Sequence, residues 1–322
     1  MAKIIRLSAE LANQIAAGEV VERPASAVKE LIENALDAGA RRIGVTLELG
    51  GKRFISVEDD GEGMSPEEAI LALERHATSK LVKSSDLAAI HTLGFRGEAL
   101  PSVASVCHLK LRTCRRGQVA GTLVDVSGGV TTSVREVGAP VGTLVEIRDL
   151  FFNMPARRKF LKSDRAESAR VSKLVTQLAL GYPEVGFSLK SSGRQVVQCA
   201  PAETVTERFY QLYGERPDLL EVQKEAGGIA ISGYAAALAN QRPSRGPQNI
   251  FVNRRIVKDR TVAHAIIDSY SRATIKERRP EVHLFIEIPA DRVDVNVHPM
   301  KAEVRFLDQS LVHEVLRRAL TE

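Results

Sequence analysis

Glu30, Asn34 and Asp37 fall at i, i+4 and i+7 of the stretch VKELIENALDAGA, so a helix there carries a carboxylate, an amide and a second carboxylate on one face. An amide oxygen can ligate a hard cation while a carboxylate one turn away orients a water; a solvated polar face uses the same residue types. A second carboxylate, Asp59, closes the run RFISVED in phase with Ile55 and Val57. If those apolar residues point inward, Asp59 is an inward acid at a strand end and needs donors. An exocyclic amine such as that of adenine supplies one, and a turn in which the aspartate caps its own backbone supplies another. The turn that follows, Asp60-Gly61-Glu62-Gly63-Met64, has two glycines two apart, which lets backbone approach something flat. In LGFRGEALP, Gly94 and Gly97 flank Phe95-Arg96 ahead of a short helical pattern. That is either a plain turn or a backbone that comes close to a phosphate.

These groups need elements to hold them. Val28, Leu31, Ile32, Ala35 and Leu36 follow the spacing of a buried stripe and predict a helix over 26–38, which Gly39 ends. RIGVTLEL (42–49) and RFISVED (53–59) alternate as strands, with Gly50-Gly51 as the hairpin signal between them. SPEEAILALERHATSK predicts a helix over 65–80, opened by Ser65 as cap, Pro66 at the first position and Glu68 completing a capping box. Strands follow over 110–114, 122–126 and 143–147, then a Pro-marked turn, FFNMPARRKFL, leads into a basic helix.

After RVSKLVTQLAL and Tyr182-Pro183 the pattern predicts strands near 185–198, 229–235, 249–257 and 282–288, with helices near 203–213, 260–275 and 308–320. NQRPSRGPQ (240–248) reads as a mobile surface loop. The expected fold is α+β, a sheet covered by helices on one face and then a second domain, with a boundary near 200–215.

Composition narrows the class. The 322 residues, 44% hydrophobic and 26% charged, contain no apolar run of bilayer length, and the first residues lack a signal-peptide core. Cys107, Cys114 and Cys199 have no metal-ligand spacing and leave one odd, which points to a reducing compartment and a cytosolic protein. A net charge of +5 suits a polyanionic partner and is shared by many ordinary proteins. Asn253-Arg254-Arg255 with Lys258 and Arg260, and Arg157-Arg158-Lys159, either line a groove that contacts phosphates without reading bases or are solvated faces. Neither a G-x-x-x-x-G-K-[ST] run nor a G-x-G-x-x-G after a strand occurs, and H-E-x-x-H is absent, so any nucleotide site uses a different phosphate loop.

Four segments in order, ELIENALDAGA, EDDGEGM, LGFRGEAL and PVGTLVEI, resemble the four ATP-site motifs of the GHKL superfamily. That superfamily includes type II topoisomerase ATPase subunits, the ninety-kilodalton heat-shock chaperones and sensor histidine kinases. The surrounding QIAAGEVVERPASAVKELIENALDAGA, RHATSK, NMPARRKF and VDVNVHPMKAEVRF look like the MutL mismatch-repair family, in family order over essentially the whole chain. The resemblance implies a GHKL-type α/β sandwich, a mixed sheet covered by helices, over 1–205. A domain like the second domain of ribosomal protein S5 would follow over 206–322.

It also implies ATP as ligand, Mg²⁺ as cofactor and a Mg-dependent ATPase. Glu30 matches the general base that positions the attacking water, Asn34 the Mg²⁺ ligand and Asp59 the acceptor for the adenine amine. Gly63, Met64 and Thr143 match positions beside the base. Thr78, Ser79 and Lys80 match the segment flanking the phosphates, and Leu93, Gly94, Phe95, Arg96, Gly97, Glu98, Ala99 and Leu100 the lid loop. Lys301 matches a lysine that reaches the γ-phosphate from the second domain. Asp60 stands where many relatives carry Asn, and Met154 where many carry Thr.

The implied function is an ATP-switched, slowly hydrolysing clamp of DNA mismatch repair that dimerises on ATP binding. Its implied partners are DNA, a MutS-type mismatch-recognition protein and downstream repair factors, in the bacterial cytosol at the nucleoid. A C-terminal dimerisation domain is expected to follow residue 322, in many relatives with a metal-dependent nuclease site. A topoisomerase or chaperone ATPase fits NMPARRKF and HPMKAEVRF less well. A DNA-binding module with a vestigial nucleotide site conflicts with the intact Glu30, Asn34 and Asp59, and a sensor kinase with the absence of a phosphoacceptor-histidine helix before the ATP motifs.

Overall fold

Helix α1 (Pro24–Asp37) starts at a proline in its first position and buries Val28, Leu31, Ile32 and Ala35 of the expected stripe together with Ala27, while Leu36, at its end, is half-buried. It ends in a Schellman motif: Gly39 N–H reaches the Leu36 carbonyl at 3.0 Å and Ala40 N–H the Ala35 carbonyl at 3.1 Å. The computed structural model describes residues 15, 17, 18, 20–78, 93, 94, 97–237, 246–271, 280–294 and 304–321. They divide into two units between Arg208 and Phe209.

The first unit is built on an eight-stranded sheet. Its strands are β1 (Arg42–Glu48), β2 (Phe54–Asp59), β3 (His108–Cys114), β4 (Gly121–Ser127), β5 (Val130–Val137), β6 (Gly142–Arg148), β7 (Gly186–Ser191) and β8 (Arg194–Cys199). They lie in the order β5-β4-β3-β6-β2-β1-β7-β8, antiparallel except for the β1–β7 pair. Leu189, Val45, Val57, Val145, Leu111 and Val124 stand side by side across six strands and are all buried. That row is the core of the covered face. Helices α2 (Pro66–Leu71), α3 (Ala99–Ala104), α4 (Pro155–Phe160) and α5 (Asp164–Gly181) complete the unit, with α1 packed on β1, β2, α3 and α5.

The Ser65 capping box forms as predicted, Glu68 N–H to Ser65 Oγ at 3.3 Å and Ser65 N–H to Glu68 Oε2 at 2.8 Å. The helix it opens is shorter than expected. It stops at Leu71 and gives way to turns, with His76 at a φ of 63°. Strand β5 was not anticipated, because VTTSVREV presents little apolar surface to either face and shows no alternation. Cys107, Cys114 and Cys199 are free and buried.

The second unit holds α6 (Val205–Tyr213), which the division enters, and β9 (Leu219–Ala226), β10 (Ile229–Ala236), β11 (Gln248–Val252), β12 (Arg255–Ile256), α7 (Arg260–Ser271) and β13 (Val282–Glu287). The two-residue strands β14 (Val293–Asp294) and β15 (Arg305–Phe306) and helix α8 (Gln309–Thr321) close it. Its sheet runs β12-β11-β13-β10-β9, with β11 and β13 parallel. Ile231, Leu284 and Val252 on the sheet pack with Val262 and Ile266 of α7 and Val312 and Leu316 of α8. Strand β9 was missed because charged residues interrupt its pattern. Of the loop expected over 240–248, residues 240–245 lie outside the described residues, as do 272–275 of the helix expected to reach 275. No helix among the described residues is long and apolar enough to cross a membrane.

Candidate functional site

Two residues along each strand from the buried core row, the same face of the sheet turns polar. The next row reads Ile43, Asp59, Thr143, Thr113 and Thr122 across β1, β2, β6, β3 and β4. Thr113 and Thr122 are 1% and 5% exposed. Hydroxyls and a carboxylate thus occupy positions that the alternation of each strand points into the core, and buried polar groups must find partners there. Thr113 finds three: Oγ1 donates to the Gly142 carbonyl at 3.0 Å, lies 3.0 Å from Thr143 Oγ1 and accepts Met64 N–H at 2.9 Å.

Asp59 sits in this row as the sequence predicts. Oδ1 accepts Gly61 N–H at 2.9 Å. Burial pushes its carboxyl up to about 6, against the opposing pull of the Gly61 and Thr143 backbone N–H groups. Both anticipated features of the segment therefore hold together: the aspartate caps its own turn and is also an inward acid. Gly63 has a φ of 68°, and a side chain there would collide with the Cys114 carbonyl, so the turn lies flat on the end of β3. Asp60 faces the other way. Its Oδ1 accepts Arg41 and Arg42 N–H at 2.7 and 2.8 Å, and Oδ2 meets Arg42 Nε at 3.1 Å. Desolvation alone would raise its carboxyl, but these donors outweigh it and hold the group below its ordinary value.

On α1, Glu30, Asn34 and Asp37 are half-buried along one face. Asp37, given no role from sequence, has a defined one. Oδ1 accepts Leu93 N–H and Oδ2 accepts Gly94 N–H, both at 3.0 Å. The start of the LGFRGEALP loop is thereby fixed to the helix that carries Glu30 and Asn34. Gly97, at a φ of 63°, lies where a side chain would strike the Ala77 carbonyl. The neighbour that requires a glycine at 97 is thus the chain's own segment around Ala77 and Thr78. Glu98, Ala99 and Leu100 open α3, where Glu98 is the N-cap residue and makes no side-chain cap. Ser79, Lys80, Phe95, Arg96 and Lys301 lie outside the described residues.

The basic candidates separate. Arg157 is turned inward: its Nη1 donates to the Gly18 and Val21 carbonyls at 2.6 and 2.9 Å, so it braces the chain just before α1 rather than facing a phosphate. Arg255 is 8% exposed, which removes it from any surface groove. The alternation of β12 explains this, since one of two adjacent residues must face the sheet. Arg158, Arg254, Lys258 and Arg260 are exposed. A cavity of about 280 Å³ in the first unit, lined by Leu73, Pro101, Ala104, Val126 and Thr131 among others, includes none of the polar-row or α1 residues.

Among relatives of known type, residues 22–128 match the family model of the histidine kinase-, DNA gyrase B- and HSP90-like ATPases, and residues 211–322 that of the C-terminal domain of DNA mismatch repair proteins. The DNA mismatch repair protein MutL of Koribacter versatilis is 44% identical over 98% of this chain and 54% of its own length. The chain spans about half the length of the curated relatives it matches. The ATPase domain of the mismatch repair endonuclease MutL from Aquifex aeolicus superposes with a TM-score of 0.66 at 30% identity, over 94% of this chain and 100% of that one. The same domain complexed with ADP gives a TM-score of 0.67 at 29% identity, over 92% and 98% of the two chains.

Proposed function

The chain belongs to the MutL family of DNA mismatch-repair proteins, and from that premise we propose that its first unit binds ATP with Mg²⁺ and hydrolyses it slowly to switch a DNA clamp. One observation carries the reading: Asp59 and its threonine neighbours form a polar row at the end of an otherwise apolar sheet face. A half-desolvated carboxylate of that kind accepts an exocyclic amine well, because the donor returns what burial removed. The Gly61–Met64 turn packs flat beside it, as a planar base requires. Nucleotide binding is further supported by the ADP complex of the Aquifex aeolicus relative.

For Mg²⁺, the donor chemistry of α1 fits. The cation prefers oxygen, and Asn34 offers a neutral amide oxygen on the face that holds Glu30. Asp37 is not a ligand in this reading, since both its oxygens accept loop N–H groups. When bound, the ion supplies charge neutralisation at the phosphates. Glu30 then takes a proton from the attacking water, whose oxygen bonds to the γ-phosphorus as the bond to the β,γ-bridging oxygen breaks, giving ADP and phosphate. By the family resemblance, Lys301 is assigned to the γ-phosphate and Lys80 with the 93–100 loop to the phosphates. Leu93 and Gly94 tie the start of that loop to the helix that carries Glu30 and Asn34.

On the scale of the whole protein, ATP binding drives homodimerisation. The clamp then engages DNA through phosphate contacts at Arg158, Arg254, Lys258 and Arg260, and works with a MutS-type protein. Glu30→Ala is the decisive variant. It should retain Mg-dependent ATP binding while phosphate release falls by a factor on the order of 100 or more. Undiminished turnover in that variant would remove Glu30 from the mechanism.

A further inference from the structure

Outside the nucleotide site, three ligand-bearing side chains of the second unit converge on one point. His264 and Asp268 stand one turn apart on α7, and His313 projects from α8, which packs against it. His264 Nδ1 lies 3.3 Å from His313 Nε2. Asp268 Oδ2 lies 3.1 Å from His313 Nε2 and 3.4 Å from His264 Nδ1. The three atoms make a nearly equilateral triangle. Ligands bound tetrahedrally at ~2.0–2.1 Å stand roughly 3.3–3.4 Å apart, so this triangle has the dimensions of one face of a zinc tetrahedron.

The donor set selects the ion. Two imidazoles and one carboxylate suit Zn²⁺ and its late first-row neighbours, whereas Mg²⁺ and Ca²⁺ favour all-oxygen shells. Access is open, because the His264, Asp268 and His313 side chains are 68%, 39% and 26% exposed. A fourth position is thus within reach of water. Arg317, which interacts electrostatically with Asp268, is itself paired with Glu314, which accepts from its Nε and Nη2 at 2.9 Å each.

We propose that His264, Asp268 and His313 bind a divalent transition-metal ion, zinc first among them, as a clip between α7 and α8. With three protein ligands from two packed helices, the ion cross-links elements that otherwise meet through apolar packing and a Ser269 Oγ to Arg317 carbonyl hydrogen bond, and binding to the folded state alone raises stability as metal concentration rises. No nucleotide takes part, so the clip is separable from the ATP site.

Tag-free, EDTA-stripped protein without nucleotide should be titrated with ZnCl₂ by calorimetry and with Co²⁺ by visible absorption. The wild type is expected to take up one ion per chain, with cobalt bands of a tetrahedral N/O site and a melting temperature that climbs with zinc. His264→Ala removes an exposed side chain and should leave the circular dichroism unchanged while weakening zinc at least tenfold. His313→Gln should do the same. Failure of the wild type to bind zinc at micromolar concentrations, wild-type affinity in both variants, or a cobalt–thiolate charge-transfer band from the cysteines would each overturn the proposal.

Discussion

At the scale of single residues, the polar row shows what a buried acid costs a fold. Asp59 has its carboxyl pushed up to about 6 from an ordinary 3.8. A group whose folded value exceeds its unfolded one favours the fold when protonated, so Asp59 costs stability above about pH 6, and that cost vanishes as pH falls towards 4. Asp59→Asn keeps an acceptor for Gly61 N–H without the charge. It should raise stability by about 1–2 kcal/mol at pH 7–8, less near pH 4, and abolish tight nucleotide binding. Denaturant midpoints at the two pH values check the first part and calorimetry with ATP the second; equal increments at both would sink the account. Asp59 was legible because a strand's period of two puts it in phase with Ile55 and Val57. Thr113 obeys the same rule after Leu109 and Leu111 in HLKLRTC, yet a lone inward threonine resembles any strand residue until register places it beside Thr143. Asp37 was visible on the right face, but its partners lie more than fifty positions away.

At the scale of elements, local chemistry was legible and tertiary context was not. The Ser65 box and the Gly39 stop act through neighbours in sequence, and both formed; the start at Pro24, two residues ahead of the expected 26, was missed. The β5 edge and the truncation at Leu71 depend on what packs nearby, which composition does not encode. The hairpin between β11 and β12 is a mixed case. Asn253 and Arg254 have φ of 46° and 67°, the geometry of a two-residue turn that favours Asn-Gly. Asn253 fits: Nδ2 donates to the Ile288 carbonyl at 2.8 Å and Oδ1 accepts Ile288 N–H at 2.9 Å. Arg254 holds the glycine position with a long exposed cation, the one the proposed DNA contact would use. Arg254→Gly should raise stability by about 0.5–1 kcal/mol and lower the slope of log K against log salt for duplex DNA by roughly one. A variant with an unchanged slope would take Arg254 off the DNA surface.

At the scale of the whole molecule, the largest carboxylate shifts in the two units have opposite signs. In the second unit Arg216 forks two carboxylates, Asp218 and Glu281, with N···O distances of 2.8–2.9 Å, and Glu281 Oε1 also meets the buried His283 Nε2 at 3.0 Å. Desolvation would raise the Glu281 carboxyl, but the His283 and Arg216 contacts override it and bring it down to about 2. A depressed carboxylate gives its stability above the unfolded value, near 4.5, and loses it as pH falls towards 2. Glu314, between Arg317 and Arg318, is also held at about 2 and follows the same sign. In the first unit Asp59 moves the other way, against Asp60 and Glu67, whose values are lowered. Acid should therefore loosen the second unit first. Amide hydrogen exchange compared between pH 6 and pH 3, after correction for intrinsic rates, should show protection falling in β10 and β13 while β2 and β6 hold. Glu281→Gln should bring that loss to neutral pH, weakening the second unit by roughly 2–3 kcal/mol because Arg216 and His283 lose their shared charge. Parallel loss of protection in both sheets would mean that the Arg216–Glu281 pair does not govern the acid limb.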